Sequence, residues 1–266
     1  MAKPTSIYHG IKYDTGKTTE VNDTLAVEEM LSISINSKPF TITMRSPGDE
    51  QELVRGLLYA EGVYTEKKNP LILITTKNRE GYITGMNVSA EPDIVNFEAI
   101  AERNIISVTS CGLCGRTELN IDLNGKLIHK EKIYASQVID MFELMRKNQS
   151  TFHSSGGSHA AAIFDVHGKL LTTKEDIGRH NAVDKVIGDL LLQNKLKEAV
   201  SLIVSGRISY EIVSKTYTAG IPFLAAVSAP SSLAVDQCRE AGLTLMAFCR
   251  DKKFTVYSCA ENVIMD

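Results

Sequence analysis

Apolar residues recur with two different periods along this chain, and the change from one to the other divides it. Leu31, Ile33 and Ile35 alternate with serines, and Phe40, Ile42 and Met44 alternate with threonines beyond Asn36-Ser37-Lys38-Pro39. A period of two on both arms predicts a hairpin with one buried face. Residues 1–30 are polar and predict no clear element. Ser46-Pro47-Gly48-Asp49-Glu50 predicts a helix start, with Ser46 as N-cap, Pro47 at the first helical position and two acids in the first turn. Leu53, Leu57 and Ala60 would line its apolar face, and Gly62 would end it. Strands are expected over Leu71–Thr75, Tyr82–Val88 and Asn104–Ser110. The stretch 1–135 thus reads as a β-rich part with one helix.

From residue 136 the period lengthens. Val138, Met141, Phe142 and Met145 mark a helix, and Val183, Val186, Ile187, Leu190 and Leu191 mark a stronger one over His180–Asn194. Between them lie a polar, glycine-bearing stretch, Thr151–His159, and a predicted hairpin, Ala160–Phe164 with Leu170–Thr173. Thereafter strand and helix alternate. Strands are expected over Ala199–Val204, Phe223–Val227 and Leu243–Phe248, with Phe254–Tyr257 as an edge. Helices are expected over Tyr210–Ala219, with Ser209 as N-cap, and over Ser232–Ala241, closed by Gly242. Near-continuous apolar strands joined by short helices imply parallel pairing, so 136–266 reads as an α/β unit.

Composition narrows the class without choosing a function. The chain has 266 residues, 43% hydrophobic and 23% charged, with a net charge of −3. No global basic field advertises nucleic acid, so an anionic ligand must be held locally. Five cysteines, an odd number, argue against a disulfide framework and for a reducing compartment, with the cytoplasm as the default. No run reaches the ~18 apolar residues of a membrane span, and the first residues lack the apolar core of a signal peptide.

The candidate chemistry centres on Thr109-Ser110-Cys111-Gly112-Leu113-Cys114-Gly115-Arg116. A Cys-x-x-Cys pair can be a dithiol redox centre, half of a zinc site, a persulfide-carrying sulfur-transfer site or a structural pair. Structural zinc needs four ligands, and the other cysteines, Cys238, Cys249 and Cys259, stand singly. A thioredoxin-like centre should open a helix, whereas Leu119-Asn120-Ile121-Asp122-Leu123 alternates like a strand. A thiolate on a glycine-rich loop beside Arg116 suits nucleophilic sulfur, because the cation lowers the thiol pKa and small neighbours leave it accessible.

In open α/β sheets ligands collect at the carboxyl ends of the strands. Three segments would occupy those ends: Ser205-Gly206-Arg207, Ser228-Ala229-Pro230-Ser231 and Cys249-Arg250-Asp251-Lys252-Lys253. Together they would suit an anion such as phosphate, although each alone reads as an ordinary loop. Glu175-Asp176-Ile177-Gly178-Arg179-His180-Asn181 reads either as a charged helix start capped by His180 or Asn181, or as the lining of a pocket. His159 follows glycines and is a better pocket candidate than His153 or His167, though all three are ordinarily structural. No Gly-x-Ser-x-Gly elbow, Walker loop or dinucleotide fingerprint is present in the sequence.

Four motifs together resemble one family: Ser110–Gly115, Gly156-Gly157-Ser158-His159-Ala160-Ala161, Glu175–Lys185, and Ser205-Gly206-Arg207-Ile208-Ser209-Tyr210-Glu211. The sequence is similar over about residues 28–258 to the FdhD family, accessory sulfurtransferases of formate dehydrogenase. The resemblance implies a cytidine-deaminase-like three-layer core with a mixed sheet, plus the smaller β-rich N-terminal part. It implies a homodimer that accepts sulfur from a cysteine desulfurase. The sulfur would pass to the molybdenum cofactor, a bis-molybdopterin guanine dinucleotide, before that cofactor enters the formate dehydrogenase catalytic subunit. Cys111 would carry the persulfide and Cys114 would assist or resolve it. Phe248, Cys249, Arg250, Asp251, Lys252 and Lys253 match the family's cofactor-binding stretch, and Arg207 and Ser228 join them from the strand-end argument. In some relatives Pro and Gly stand where Asp251 and Lys252 do. The shared fold also raises a zinc-dependent nucleobase deaminase, but that chemistry uses His-x-Glu followed by Pro-Cys-x-x-Cys, whereas Ser110 precedes Cys111 and no His-x-Glu stands ahead of this pair, so no metal ligands are expected. A non-catalytic cofactor chaperone is the third class.

Overall fold

The computed structural model describes residues 3–96 and 125–266. Two strands the sequence did not announce come first: β1 (Thr5–Asp14) and β2 (Lys17–Ala26) form a separate antiparallel hairpin. Its tip, Thr15-Gly16, is left-handed at both positions (φ 43° and 87°), which fits the twist of a two-residue hairpin loop. Its faces are exposed, so no buried stripe marked these strands in the sequence.

The predicted hairpin is β3 (Glu29–Ile35) with β4 (Lys38–Arg45). These two join β5 (Leu71–Lys77) and β6 (Ile83–Ser89) in a four-stranded sheet of order β4-β3-β6-β5. Leu31, Ile33 and Ile35 bury one face of it against Leu53, Val54 and Leu58 of α1 (Glu50–Ala60). The helix starts later than Ser46-Pro47 suggests. Asp49 is the N-cap, itself left-handed at φ 57°. Ser46 is occupied elsewhere, by Asp176 and Ile177 across the molecule, so tertiary bonds override the local capping signal. The strand expected over Asn104–Ser110 lies outside the described residues.

Beyond residue 125, β7 (Ile133–Tyr134) leads into α2 (Ala135–Lys147). The polar stretch after it is in part helical, α3 (Ser150–Ser155), ending at left-handed Gly156 (φ 66°). Then come β8 (His159–Phe164), β9 (Leu170–Asp176), α4 (Arg179–Leu192), β10 (Ser201–Val204), α5 (Tyr210–Thr218), β11 (Phe223–Ala226), α6 (Ser232–Ala241), β12 (Thr244–Arg250), β13 (Lys253–Ser258) and β14 (Val263–Ile264). The large sheet runs β13-β12-β11-β10-β8-β9. β10, β11 and β12 pair in parallel as their apolar runs imply, and β8 and β13 pair antiparallel at either side, so the sheet is mixed. β14 pairs with β7, so the end of the chain returns to the start of α2.

Three layers result. Leu202, Val204, Leu224 and Leu245 face α4, α5 and α6. Ile203, Phe223, Ala225 and Met246 face Val138, Met141 and Met145 of α2. All residues of β10 and β11 are buried, because both faces of the sheet are covered. The smaller sheet is fixed to this body by α1 against α4. A Cβ on Gly56 would lie 1.9 Å from the Asp184 carbonyl, and one on Gly188 would lie 1.8 Å from the Glu52 carbonyl. Backbone meets backbone at this crossing, and only glycine permits it. Among the described residues no helix is long and apolar enough to cross a membrane.

Candidate functional site

A cavity of about 790 Å³ opens between α2, the short helix α3 and the carboxyl ends of β10, β11 and β12. Its wall is mostly apolar, with Val138, Phe142 and Met145 from α2 and Phe152 and Phe254 beside them. Ser158, His159, Ile177 and Ser205 close its inner end. The β12–β13 hairpin, residues 249–253, forms its other side. The volume and the few convergent polar groups are those of a site for a sizeable organic ligand.

The hairpin's shape follows from two local features. Between Ala247 and Arg250 the register slips, three steps on β12 facing two on β13. The extra residue makes a bulge, and Phe248 takes a left-handed φ of 57° within it. Beyond it, Arg250 pairs with Lys253 across a two-residue tip, Asp251-Lys252, with φ of 53° and 59°. Two left-handed residues define the turn type that suits twisted hairpins, a setting where Asn-Gly is usual. A side chain such as that of Lys252 costs about 1–2 kcal/mol in this conformation. The hairpin therefore presents three basic residues and one acid on a strained tip at the cavity mouth.

Not every predicted cofactor residue reaches the cavity. Cys249, Arg250, Asp251, Lys252 and Lys253 line it, whereas Phe248, Arg207 and Ser228 do not. Ser228 sits one residue past the lining Val227, and its carbonyl accepts a hydrogen bond from the Phe248 N–H at 3.3 Å. Arg207 is exposed, two residues past the lining Ser205. Cys249 is buried in the wall, and burial pushes its thiol up to about 12. It is therefore a neutral, packing cysteine at physiological pH. Cys111, Cys114 and Arg116 lie outside the described residues.

The Glu175–Lys185 motif divides between holding the fold and shaping the cavity. Glu175 and Asp176 end β9, and the N-cap of α4 is Gly178, so neither His180 nor Asn181 caps the helix. Glu175 instead accepts hydrogen bonds from the Thr151 and Phe152 N–H groups at 2.8 Å each and from the Ser158 hydroxyl at 2.7 Å. That carboxylate fixes the start of α3 and with it one lip of the cavity. Asp176, with no exposed surface, accepts from Gly178 and Asn181 on one oxygen and from Ser46 and Lys185 on the other. Lys185 lies 2.8 Å from Asp176 and also donates to the Ser46 and Glu175 carbonyls. Asn181 adds a bond to the Met44 carbonyl. These bonds join β4 and the loop before α1 to the large sheet.

A second buried set lies further along α4. Asp184 pairs with Lys215 at 2.6 Å. Burial raises the Asp184 carboxyl, and Lys215 opposes that shift. His180 meets Glu211 at 2.8 Å and Ser209 at 3.2 Å, which is why Ser209, the N-cap of α5, does not cap with its side chain. Of the motif's charged groups, Arg179 alone is left beside the cavity's inner end with a buried nitrogen, Nε, lacking a partner.

Sequence reasoning did not single out α2's apolar residues as cavity wall, because helical periodicity marks a buried face without telling core from ligand. It also passed over Phe152 and Phe254. The glycines of Gly156-Gly157 were the available signal, since Gly157 leaves room for Ala26 of β2, 3.3 Å from where its Cβ would be.

Comparison with known proteins places this architecture. The model of the FdhD/NarQ family matches residues 26–264. A protein of Streptomyces coelicolor named sulfur carrier protein FdhD is 38% identical, over 100% of this chain and 98% of its own length. One of the same name from Saccharolobus solfataricus is 41% identical over 91% of each chain. Among solved structures, one described as that of a formate dehydrogenase accessory protein candidate from Desulfotalea psychrophila superposes with a TM-score of 0.79. It shares 21% identity and covers 98% of this chain and 100% of its own, which shows the common fold. With the matched residues running from the end of β2 to β14, and with relatives alike over nearly their full length, the chain belongs to the FdhD/NarQ family.

Proposed function

We propose that this protein is a sulfur carrier that serves the maturation of formate dehydrogenase. The thiolate of Cys111 attacks the terminal sulfur of a cysteine desulfurase's persulfide. The donor's sulfur–sulfur bond breaks, its cysteine leaves as thiolate, and Cys111 holds the extra sulfur. Attack by Cys114 on the Cys111 sulfur would then release hydrosulfide and leave a Cys111–Cys114 disulfide. The two thiols thereby supply the two electrons that turn sulfane sulfur into sulfide.

The client for that sulfur is the bis-molybdopterin guanine dinucleotide form of the molybdenum cofactor, carried as cargo. The observation that supports this most is the cavity itself. Its aromatic and aliphatic wall, Phe142, Phe152 and Phe254, suits a purine or pterin ring, and Arg250, Lys252 and Lys253 at its mouth suit phosphates. Two such proteins acting as a homodimer belong to the same reading, and sedimentation analysis checks that part.

Intact mass tests the chemistry. After incubation with a desulfurase and cysteine, the wild-type chain should gain ~32 Da for one sulfur. Cys111→Ala should not gain it, and Cys114→Ala should gain it but pass it on poorly. If Cys111→Ala is charged normally and Cys114→Ala is not, the roles are reversed. If Cys111→Ala supports formate dehydrogenase as well as wild type does, the protein is a cofactor chaperone without sulfur chemistry.

A further inference from the structure

Two cysteines that do not line the cavity are brought together by the fold. Cys238 lies in the last turn of α6, and Cys259 follows the end of β13. Two hydrogen-bonded clamps join these elements. The Ser258 hydroxyl donates to the Leu243 carbonyl at 2.6 Å and accepts from the Leu245 N–H at 2.9 Å. The Leu243 N–H in turn donates to the Cys238 carbonyl at 2.9 Å, so a single residue links Cys238 to the neighbour of Cys259. Beside it, Arg239 Nε donates to the Tyr257 carbonyl at 3.2 Å.

The two thiols differ in access. Cys238 has no exposed surface and belongs to the core that α4, α5 and α6 share with the large sheet, whereas Cys259 is partly exposed. Cys259 takes a left-handed φ of 49° where the chain leaves β13, a conformation uncommon for such a residue. Burial pushes the Cys238 thiol up to about 12, and the charge of a Cys259 thiolate pushes the same way, an effect that needs the two sulfurs to be near each other. Burial and then Glu261 raise Cys259 as well, and Lys126 opposes them. Lys126 is held between two anchors. The Leu127 N–H donates to the Ala241 carbonyl at 2.8 Å, and the Tyr217 hydroxyl donates to the Gly125 carbonyl at 2.8 Å. Cys259 therefore has an open side for an oxidant, a cation near it and a second thiol within electrostatic reach.

We propose that Cys238 and Cys259 form a peroxide-oxidisable dithiol, a modification site that closes into a disulfide staple between α6 and the end of β13. The Cys259 thiolate attacks one oxygen of hydrogen peroxide. The O–O bond breaks, the other oxygen leaves as hydroxide and takes a proton to become water, and the sulfur becomes a sulfenic acid. The Cys238 sulfur then attacks the Cys259 sulfur. The S–O bond breaks, and the departing hydroxide with the Cys238 thiol proton makes a second water. Two thiols and one peroxide thus give one disulfide and two waters, the sulfurs losing the two electrons that the peroxide gains. Cys238 is a weakly acidic partner, and its fixed position offsets that handicap. The staple lies under residues 125–127, where the chain continues after the stretch that carries Cys111 and Cys114. It is independent of the sulfur chemistry proposed for those two.

Non-reducing peptide maps of the full chain test it. Trypsin places the Cys111–Cys114 pair, Cys238, Cys249 and Cys259 in four different peptides, residues 104–116, 216–239, 240–250 and 254–266. After hydrogen peroxide treatment at about pH 8, wild type should give 216–239 joined to 254–266. The joined pair should be about 2 Da lighter than the two thiol peptides together, and dithiothreitol should separate it. Oxidation should raise the melting temperature by about 5 °C or more, and Cys259→Ser should lose that rise. Cys238→Ala should leave Cys259 as a sulfenic acid that dimedone captures. If Cys238→Ala does not fold, Cys259→Ser, at a partly exposed position, carries the comparison. A folded wild type whose Cys259 advances to sulfinic acid while Cys238 stays a thiol overturns the pair. So does a wild type whose Cys259 peptide is joined to 104–116 instead, or one in which about tenfold excess peroxide leaves Cys259 a thiol.

Discussion

Lys185 and Lys252 sit in regions that handle charge in opposite ways. Around Lys185 the ionised groups are sealed and answered. The ammonium has three acceptors, Asp176 and two carbonyls, and it is 1% exposed. Asp176 in turn is surrounded by four donors. Around Lys252 the charges face an open cavity on a turn that would be more relaxed with glycine. The first arrangement makes a rigid joint between the small sheet and the large one. The second leaves interaction capacity in reserve, and that is the mark of a surface awaiting a ligand. A dense run of charged residues in a sequence therefore does not by itself signal a binding site. In Glu175–Lys185 most of the charge is spent on the fold, and Arg179 is the residue left over.

Breaking the sealed side should have the largest effect. Lys185→Met removes one partner of a buried pair and strands the other, so stability should fall by about 3–5 kcal/mol. Urea denaturation reads this directly. Lys253→Met, at the cavity mouth, should stay within about 0.5 kcal/mol of wild type, as ordinary surface changes do. A loss under about 1 kcal/mol for Lys185→Met would mean that the glycine crossing of α1 and α4 alone holds the two sheets together.

The cavity's own wall offers a contrast within one hairpin, between the inert Cys249 and the charged residues that follow it. With its thiol pushed from 9.0 to about 12, Cys249 at pH 8 should alkylate about a thousandfold more slowly than an unburied thiol, since only the thiolate reacts. The sign is that of a raised acid: the neutral form is favoured, so reactivity keeps climbing about tenfold per pH unit above pH 9, where a free thiol has already levelled off. Peptide mapping after iodoacetamide treatment measures this. Rapid labelling of Cys249 in the folded protein at pH 8 would show that the wall opens to water, and the rigid picture of the cavity would fail.

Much of this architecture was legible because apolar period reports burial. The runs Leu31–Ile35, Ala199–Val204 and Phe223–Val227 gave strands at close to their observed bounds, and glycines 62 and 242 marked helix ends. Residues 249–253, which follow an apolar strand in the sequence and so fall at a strand's carboxyl end, line the cavity. What was not legible has physical causes. β1 and β2 bury almost nothing, so their strands carry no hydrophobic signature. Ser46 looked like a cap and proved to be part of a long-range network, because a serine hydroxyl serves either purpose and only the fold decides. Gly56 sits in mid-helix, normally a weakness, and its reason is the backbone of α4, which no local window contains. Arg179 could not be separated from its neighbours in Glu175–Lys185, since charge in a sequence does not reveal whether it is already paired.

The finest test of the contrast is Lys252→Gly. Glycine takes the left-handed conformation of residue 252, φ 59°, without the steric cost that lysine bears. Glycine's larger entropy in the unfolded chain offsets part of the gain. The net expectation is a protein more stable by about 0.5–1 kcal/mol. The same change deletes one cation from the cavity mouth, so GDP affinity should fall modestly, by about threefold, with a shallower dependence on salt because one screened contact is gone. Thermal melting and calorimetry on the same sample give both numbers. A variant that gains stability and loses no affinity would show that the strained tip is not kept for a ligand, and the reserve attributed to the mouth would then reside in Arg250 and Lys253. A variant that loses stability would show that Lys252 makes a contact in the fold, and the opposition between the two lysines would not hold.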